Sequence, residues 1–104
     1  MEFEFSKEFL ERFKLALNDR DDVYIQDSLA GVRSVDICEI LTEIAIEESK
    51  YVFDMLSSDI AADVLVELEE DFRVDFMEYF SISELAHFIE ILDSDDGADL
   101  LNEM

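Results

Sequence analysis

Apolar residues recur along this chain with a period of twelve. Rows of twelve counted from Arg33 fill residues 33–104 without a gap. Position eight of the rows is Ile40, Val52, Val64, Phe76, Phe88 and Leu100. Position nine is Leu41, Phe53, Leu65, Met77, Ile89 and Leu101, and position twelve is Ile44, Leu56, Leu68, Phe80, Leu92 and Met104. The offsets eight, nine and twelve are i, i+1 and i+4, one face of a helix. Ile37, Ile60, Phe72 and Leu85 extend the stripe backward. Each row therefore predicts one short helix and a joint. Such a helix is about 15 Å long and must bury its stripe on neighbours to persist.

The period also doubles. Position five is Ile37, Ala61 and Leu85 in the odd rows but Ser49, Arg73 and Gly97 in the even rows. Position six is small in the odd rows: Cys38, Ala62 and Ala86. The unit is a helical hairpin of 24 residues, with close helix contact at the small positions. The expected fold is all-α, an α-solenoid of short antiparallel helices. Ser34, Ser57 or Ser58, Ser81 and Asp93 stand where N-caps belong, and Ser81 to Glu84 has the spacing of a capping box. Acids crowd the first turns, where the helix dipole favours them. Upstream, residues 21–32 read as a degraded row ending near Gly31, and Phe9, Leu10, Phe13 and Leu17 read as a longer amphipathic helix after Ser6. Residues 1–32 are expected to cap the stack formed by 33–104. Leu100, Leu101 and Met104 leave an apolar face on the last helix, so the chain reads as a piece of a longer protein or as one that closes against a partner.

Charge sharpens this picture. The 104 residues carry 29 acids and 7 bases, a net charge of −22. Only one of those bases, Arg73, lies in residues 53–104, against 16 acids there. This disfavours nucleic acid and anionic membrane surfaces, which are bound through Lys and Arg, and favours a cationic partner such as a metal ion or a basic protein face. No run longer than five residues lacks a charge, so no segment is expected to enter a bilayer. The first five residues lack the features of a signal peptide. The single cysteine, Cys38, excludes an internal disulfide and fits a cytosolic setting.

Catalytic chemistry finds no set of residues here, and the chain is expected not to be an enzyme. His87 is the only histidine and reads as a surface or boundary residue. Cys38 reads as packed and inert. The run Asp93 to Gly97 fails as an EF-hand, because Met104 falls where the glutamate ligand is needed. What remains is carboxylates on helices. Position seven is Glu39, Asp63, Asp75 and Asp99 in four rows. Asp95 and Asp99, at i and i+4, share a face about 5–6 Å apart. Such a pair suits magnesium, which keeps several waters and takes one or two protein carboxylates.

Three segments carry a resemblance: Ser34-Val35-Asp36-Ile37-Cys38-Glu39-Ile40-Leu41, Ala61-Ala62-Asp63-Val64-Leu65, and Leu92-Asp93-Ser94-Asp95-Asp96-Gly97-Ala98-Asp99-Leu100-Leu101. In this order and spacing they resemble the N-terminal cytosolic domain of MgtE-type magnesium transporters, over roughly residues 8–104. The resemblance implies a right-handed superhelix of short helices, followed in the same polypeptide by CBS domains and a transmembrane channel that forms a homodimer. It implies a soluble domain on the cytoplasmic side of the cell membrane. It also implies regulatory Mg²⁺ that bridges acidic surfaces of this domain and the CBS domains and holds the channel closed. The matching carboxylates are Asp63, Asp95 and Asp99, with Mg²⁺ bound weakly or not at all by the isolated domain. The chain departs from the family by lacking proline, by Arg33-Ser34 in place of His-Pro, and by Gly97 in place of Ala, which weakens that helix slightly. A helical-repeat scaffold for protein–protein contacts without metal, similar in rhythm to the middle domain of the flagellar switch protein FliG, is the alternative.

Overall fold

The structure is a computed structural model that describes residues 6–92 and 94–103. The described residues form eight helices and no strand: α1 (Lys7–Asp19), α2 (Asp22–Leu29), α3 (Ser34–Thr42), α4 (Ile46–Phe53), α5 (Ser58–Glu67), α6 (Glu70–Met77), α7 (Ile82–Ile91) and α8 (Ser94–Glu103). From α3 onward every helix begins twelve residues after the last, at 34, 46, 58, 70, 82 and 94. The fold is all-α, and its period is the one written in the apolar pattern.

The caps explain the start points. Ser57 accepts a hydrogen bond from the Ile60 N–H, and Ser81 and Glu84 close a full capping box. Ser6 caps α1 and Asp21 caps α2 in the same way. One expected cap shifts by a residue. Ser34 is the first helical residue of α3, and Arg33 is the N-cap, extended at φ −69° and ψ 150° with no side-chain cap bond. Arg33 instead pairs with Asp36 in the first turn, at 3.2 Å. Asp93 and Met104 lie outside the described residues.

The odd helices stack. α3 lies against α5 and α5 against α7, while α3 also contacts α4 and α7 contacts α8. Position eight is buried in all six rows, from Ile40 to Leu100. Cys38 shows how closely the odd helices meet: its thiol donates to the Val64 carbonyl on α5 at 3.3 Å. Ala62 is buried as well, but Ala86 at the same repeat position on α7 is exposed, because no further odd helix follows among the described residues. Position nine fades in the same direction, from Leu41 fully buried, through Ile89 half-buried, to Leu101 at 55% exposed.

Aromatic rings join the even helices to the stack. Phe53 of α4 meets Phe76, Phe80 and Phe88 with centroids 5.2–5.5 Å apart, mostly edge to face. Such pairs add about 0.5–1.5 kcal/mol each beyond their buried area. α1 packs on α2, and Tyr51 ties both to the stack. Its hydroxyl donates to Asp22 at the start of α2, and the Arg20 guanidinium lies over its ring at 4.4 Å. Arg20 itself adopts the left-handed conformation, φ 55°, and turns the chain out of α1. The radius of gyration is 13.6 Å and the extents are 38 × 28 × 23 Å. A globule of this length has about 13 Å, so the stack is only slightly elongated.

Candidate functional site

Asp63 projects from α5, and Asp95 and Asp99 project from α8; all three are exposed. Their positions follow from the opposite faces. α5 buries Ala61, Ala62, Val64 and Leu65, which leaves Asp63 outside. α8 buries Gly97 and Leu100 and turns Asp95, Ala98, Asp99 and Leu101 outward. Asp63, Asp95 and Asp99 make no hydrogen bond or ion pair among the described residues. The structure brings Asp95 and Asp99 together on one helix. It does not gather them with Asp63: among the described residues no group of three or more His, Cys, Asp or Glu could hold a metal ion. Position seven is exposed in each row where it is acidic: Glu39, Asp63, Asp75 and Asp99.

Behind the outward face of α8 lies a largely buried cation. Arg73 of α6 points into the end of α5 and donates through Nη1 to the carbonyls of Leu65, Val66 and Leu68, at 3.2, 3.1 and 2.8 Å. These are carbonyls at the C-terminal end of a helix, which lack helical partners and carry the negative end of its dipole. Through Nε and Nη2 the same guanidinium grips Glu103 of α8 at 2.5–3.1 Å. The Glu103 hydrogen bond raises the Arg73 pKa above its usual value against the opposing effect of burial, and the charges of Glu70 and Asp99 add to it. Asp96 and Asp99 line the small cavity beside this pair, about 40 Å³, with Val66 and Leu100.

A second cation holds the middle of the molecule. Lys50 of α4 binds Asp54 at 2.7 Å and Glu84 of α7 at 2.8 Å, and its ammonium stands 4.6 Å from the centre of the Phe80 ring. Burial works against this ammonium, but the two carboxylates outweigh it and raise its pKa. In return the Lys50 hydrogen bond holds Glu84 below the usual carboxylate value. Asp54 and Glu84, the two partners of Lys50, border a groove of about 340 Å³ that Phe53, Leu56, Ala61 and Phe88 also line. His87 lies on its rim, exposed, with Nε2 3.3 Å from the Ser58 hydroxyl. Cys38 is buried, and burial, helped by the charge of Glu67, pushes its thiol up to about 12. It is therefore a neutral packing residue at physiological pH and no nucleophile.

The even-row position five explains itself in three dimensions. Ser49 is fully buried and donates to the Leu41 carbonyl at 2.5 Å. Arg73 donates to the Leu65 carbonyl. A Cβ placed on Gly97 would stand 3.2 Å from the Ile89 carbonyl oxygen. In all three hairpins this position meets the carbonyl eight residues earlier. Gly97 is therefore a residue of close approach, and its cost in helix propensity is only part of its effect. The signal for Arg73 was present in the sequence: a lone base in an acidic half, at a position where the odd rows carry an apolar residue.

No helix is long and apolar enough to cross a membrane, among the described residues. No curated protein and no solved structure matches the chain. The family described as the MgtE intracellular N domain matches residues 32–104, from just before the first row to the end of the last. That family comprises domains of a transporter and is not an enzyme family. The chain belongs to it: this is an N-terminal domain of the MgtE magnesium transporter type.

Proposed function

We propose that this domain is the Mg²⁺-sensing regulatory part of an MgtE-type transporter. Asp63, Asp95 and Asp99 are the carboxylates that face the CBS domains of the same polypeptide. Mg²⁺ bridges the two acidic surfaces, docks them and favours the closed channel. When Mg²⁺ falls, the uncompensated carboxylates repel and the domains part. The domain works on the cytoplasmic side of the membrane, in a homodimeric parent, with α1 and α2 capping the first end of the stack.

The observation that carries this reading is the exposure of all three matched carboxylates on helices anchored from behind. None of the three is taken up by a hydrogen bond or ion pair among the described residues, although the charge of Asp99 also acts on Arg73. Two sit on one helix face at a spacing that suits one hydrated Mg²⁺, which binds through few carboxylates and retains waters. A bridging ion would complete its shell on the facing domain. The isolated domain binds Mg²⁺ weakly.

The test is a backbone NMR titration with Mg²⁺ of this domain joined to CBS domains. The expected result is large shifts confined to the neighbourhoods of Asp63, Asp95 and Asp99, lost in the corresponding Asn variants. Small uniform shifts over all the acids would overturn the reading. A protein partner captured equally well in the presence of a chelator would favour the metal-free scaffold instead.

A further inference from the structure

Arg73 is the one base among residues 53–104, and it is used twice. Half of its guanidinium satisfies three carbonyls at the end of α5, and the other half grips Glu103 near the end of α8. The two side chains are 13% and 9% exposed, so their attraction is screened far less than that of a surface pair. Glu70 and Asp99 act on the same guanidinium, and Asp96 lines the cavity beside it. Glu103 at hydrogen-bond distance, Glu70 and Asp99 through their charges, and the carbonyl end of a helix thus share a single positive charge. Without that charge, α8 would face α5 and α6 across uncompensated like charges.

We propose that Arg73 is a positioning residue, a built-in counter-ion that fixes α8 to the stack, and with it the outward Asp95 and Asp99 carboxylates, before any external cation binds. The consequence for Asp95 and Asp99 rests on the docking role assigned to them above. The device itself lies on the inner face of α8, where Glu103 and Leu100 are turned toward the stack. Leu100 and the close approach at Gly97 hold α8 to its neighbours without charge, so Arg73 decides how tightly and in which orientation α8 sits.

Amide hydrogen exchange on this chain, read helix by helix without Mg²⁺ or CBS domains, tests it. Arg73→Met is expected to speed exchange in α8 by about tenfold more than in α3, while the end of α5, which loses its carbonyl partner, also speeds. Added NaCl should slow α8 exchange in Arg73→Met, because salt screens the repulsion among Glu70, Asp99 and Glu103, and should slow it less in the parent chain. Glu103→Gln leaves Arg73 on the α5 carbonyls and removes the negative charge from its α8 partner, so it should also speed α8. Arg73→Lys restores the charge without the fork and should fall between. Unchanged α8 exchange in both Arg73→Met and Glu103→Gln overturns the proposal. So does equal acceleration of α3 and α8, or an Arg73→Met response that salt does not touch. Any of these failures leaves the Mg²⁺ titration at Asp63, Asp95 and Asp99 standing, and failure of that titration leaves the α8 exchange result standing.

Discussion

In the α3–α4 hairpin the Leu41 carbonyl takes its hydrogen bond from Ser49, a residue that solvent does not reach. In the α5–α6 hairpin the Leu65 carbonyl takes one from Arg73, which also holds α8. The slot is the same in both, because helices that restart every twelve residues bring position five of the even helix to the end of the odd helix before it. The need is also the same, since the last carbonyls of a helix have no partner within it. The two solutions differ in reach. A serine hydroxyl serves its own hairpin, with a second contact to the Ala45 carbonyl at 3.2 Å. An arginine fork serves its hairpin and the next one. The repeat thus fixes where a polar group is wanted, and the residue placed there decides whether the contact stays local or links units.

The comparison can be broken most directly at Arg73. Arg73→Met strips three carbonyls and leaves Glu103 without its counter-ion, and chemical denaturation should show a loss of about 3 kcal/mol. Arg73→Ser copies the first hairpin's solution into the second. It should remain clearly less stable than the parent chain, because a hydroxyl at 73 cannot reach across to α8; equal stability would mean the two solutions are interchangeable. Ser49→Ala is expected to cost less, about 1–2 kcal/mol, because it leaves one buried carbonyl unpaired and strands no charge. Gly97→Ala sharpens the third case. An open helical site would gain about 1 kcal/mol from this change. Contact with the Ile89 carbonyl should erase most of that gain, and a full gain would show that the close approach does not matter.

The smallest effects concern pH. The folded-state pKa of Glu84 is lowered by Lys50, so its contribution is present above the unfolded carboxylate value and is lost as pH falls through the folded one. Glu84→Gln should therefore flatten the acid limb of a stability–pH curve. Cys38 runs the other way. Its folded pKa is raised to about 12 from 9.0, so its contribution is complete below 9.0 and is lost as pH rises toward 12. Native Cys38 should resist iodoacetamide at mildly alkaline pH and label only on unfolding, as followed by mass spectrometry. Rapid labelling of the folded chain would contradict its place against Val64.

Much of this was legible because a twelve-residue repeat of short helices leaves each one dependent on burial. The apolar stripe therefore had to mark the core, and position eight is buried in every row. The helix starts followed from the same count, and the capping box at Ser81 was readable because its partners are three residues apart. Ser34 was misplaced by one residue because Arg33 and Asp36 pair across the turn and no side chain competes for the cap. Ala86 and Leu101 match buried residues of earlier rows yet are exposed, since burial depends on a neighbour that the local pattern does not contain.

The sequence by itself determined the all-α class, the period, the core-facing positions and the outward placement of Asp63, Asp95 and Asp99, because each follows from the spacing of residues within a row of twelve and its recurrence in the next. Only the tertiary structure decided what the polar and small residues at position five are for. Ser49, Arg73 and Gly97 share no chemistry that a pattern could group. They share a place, opposite a carbonyl eight residues back, and that place exists only once the helices have folded against each other. Arg73 in particular joins α6 to the end of α5 and to Glu103 thirty residues further on, a distance over which local periodicity carries no information.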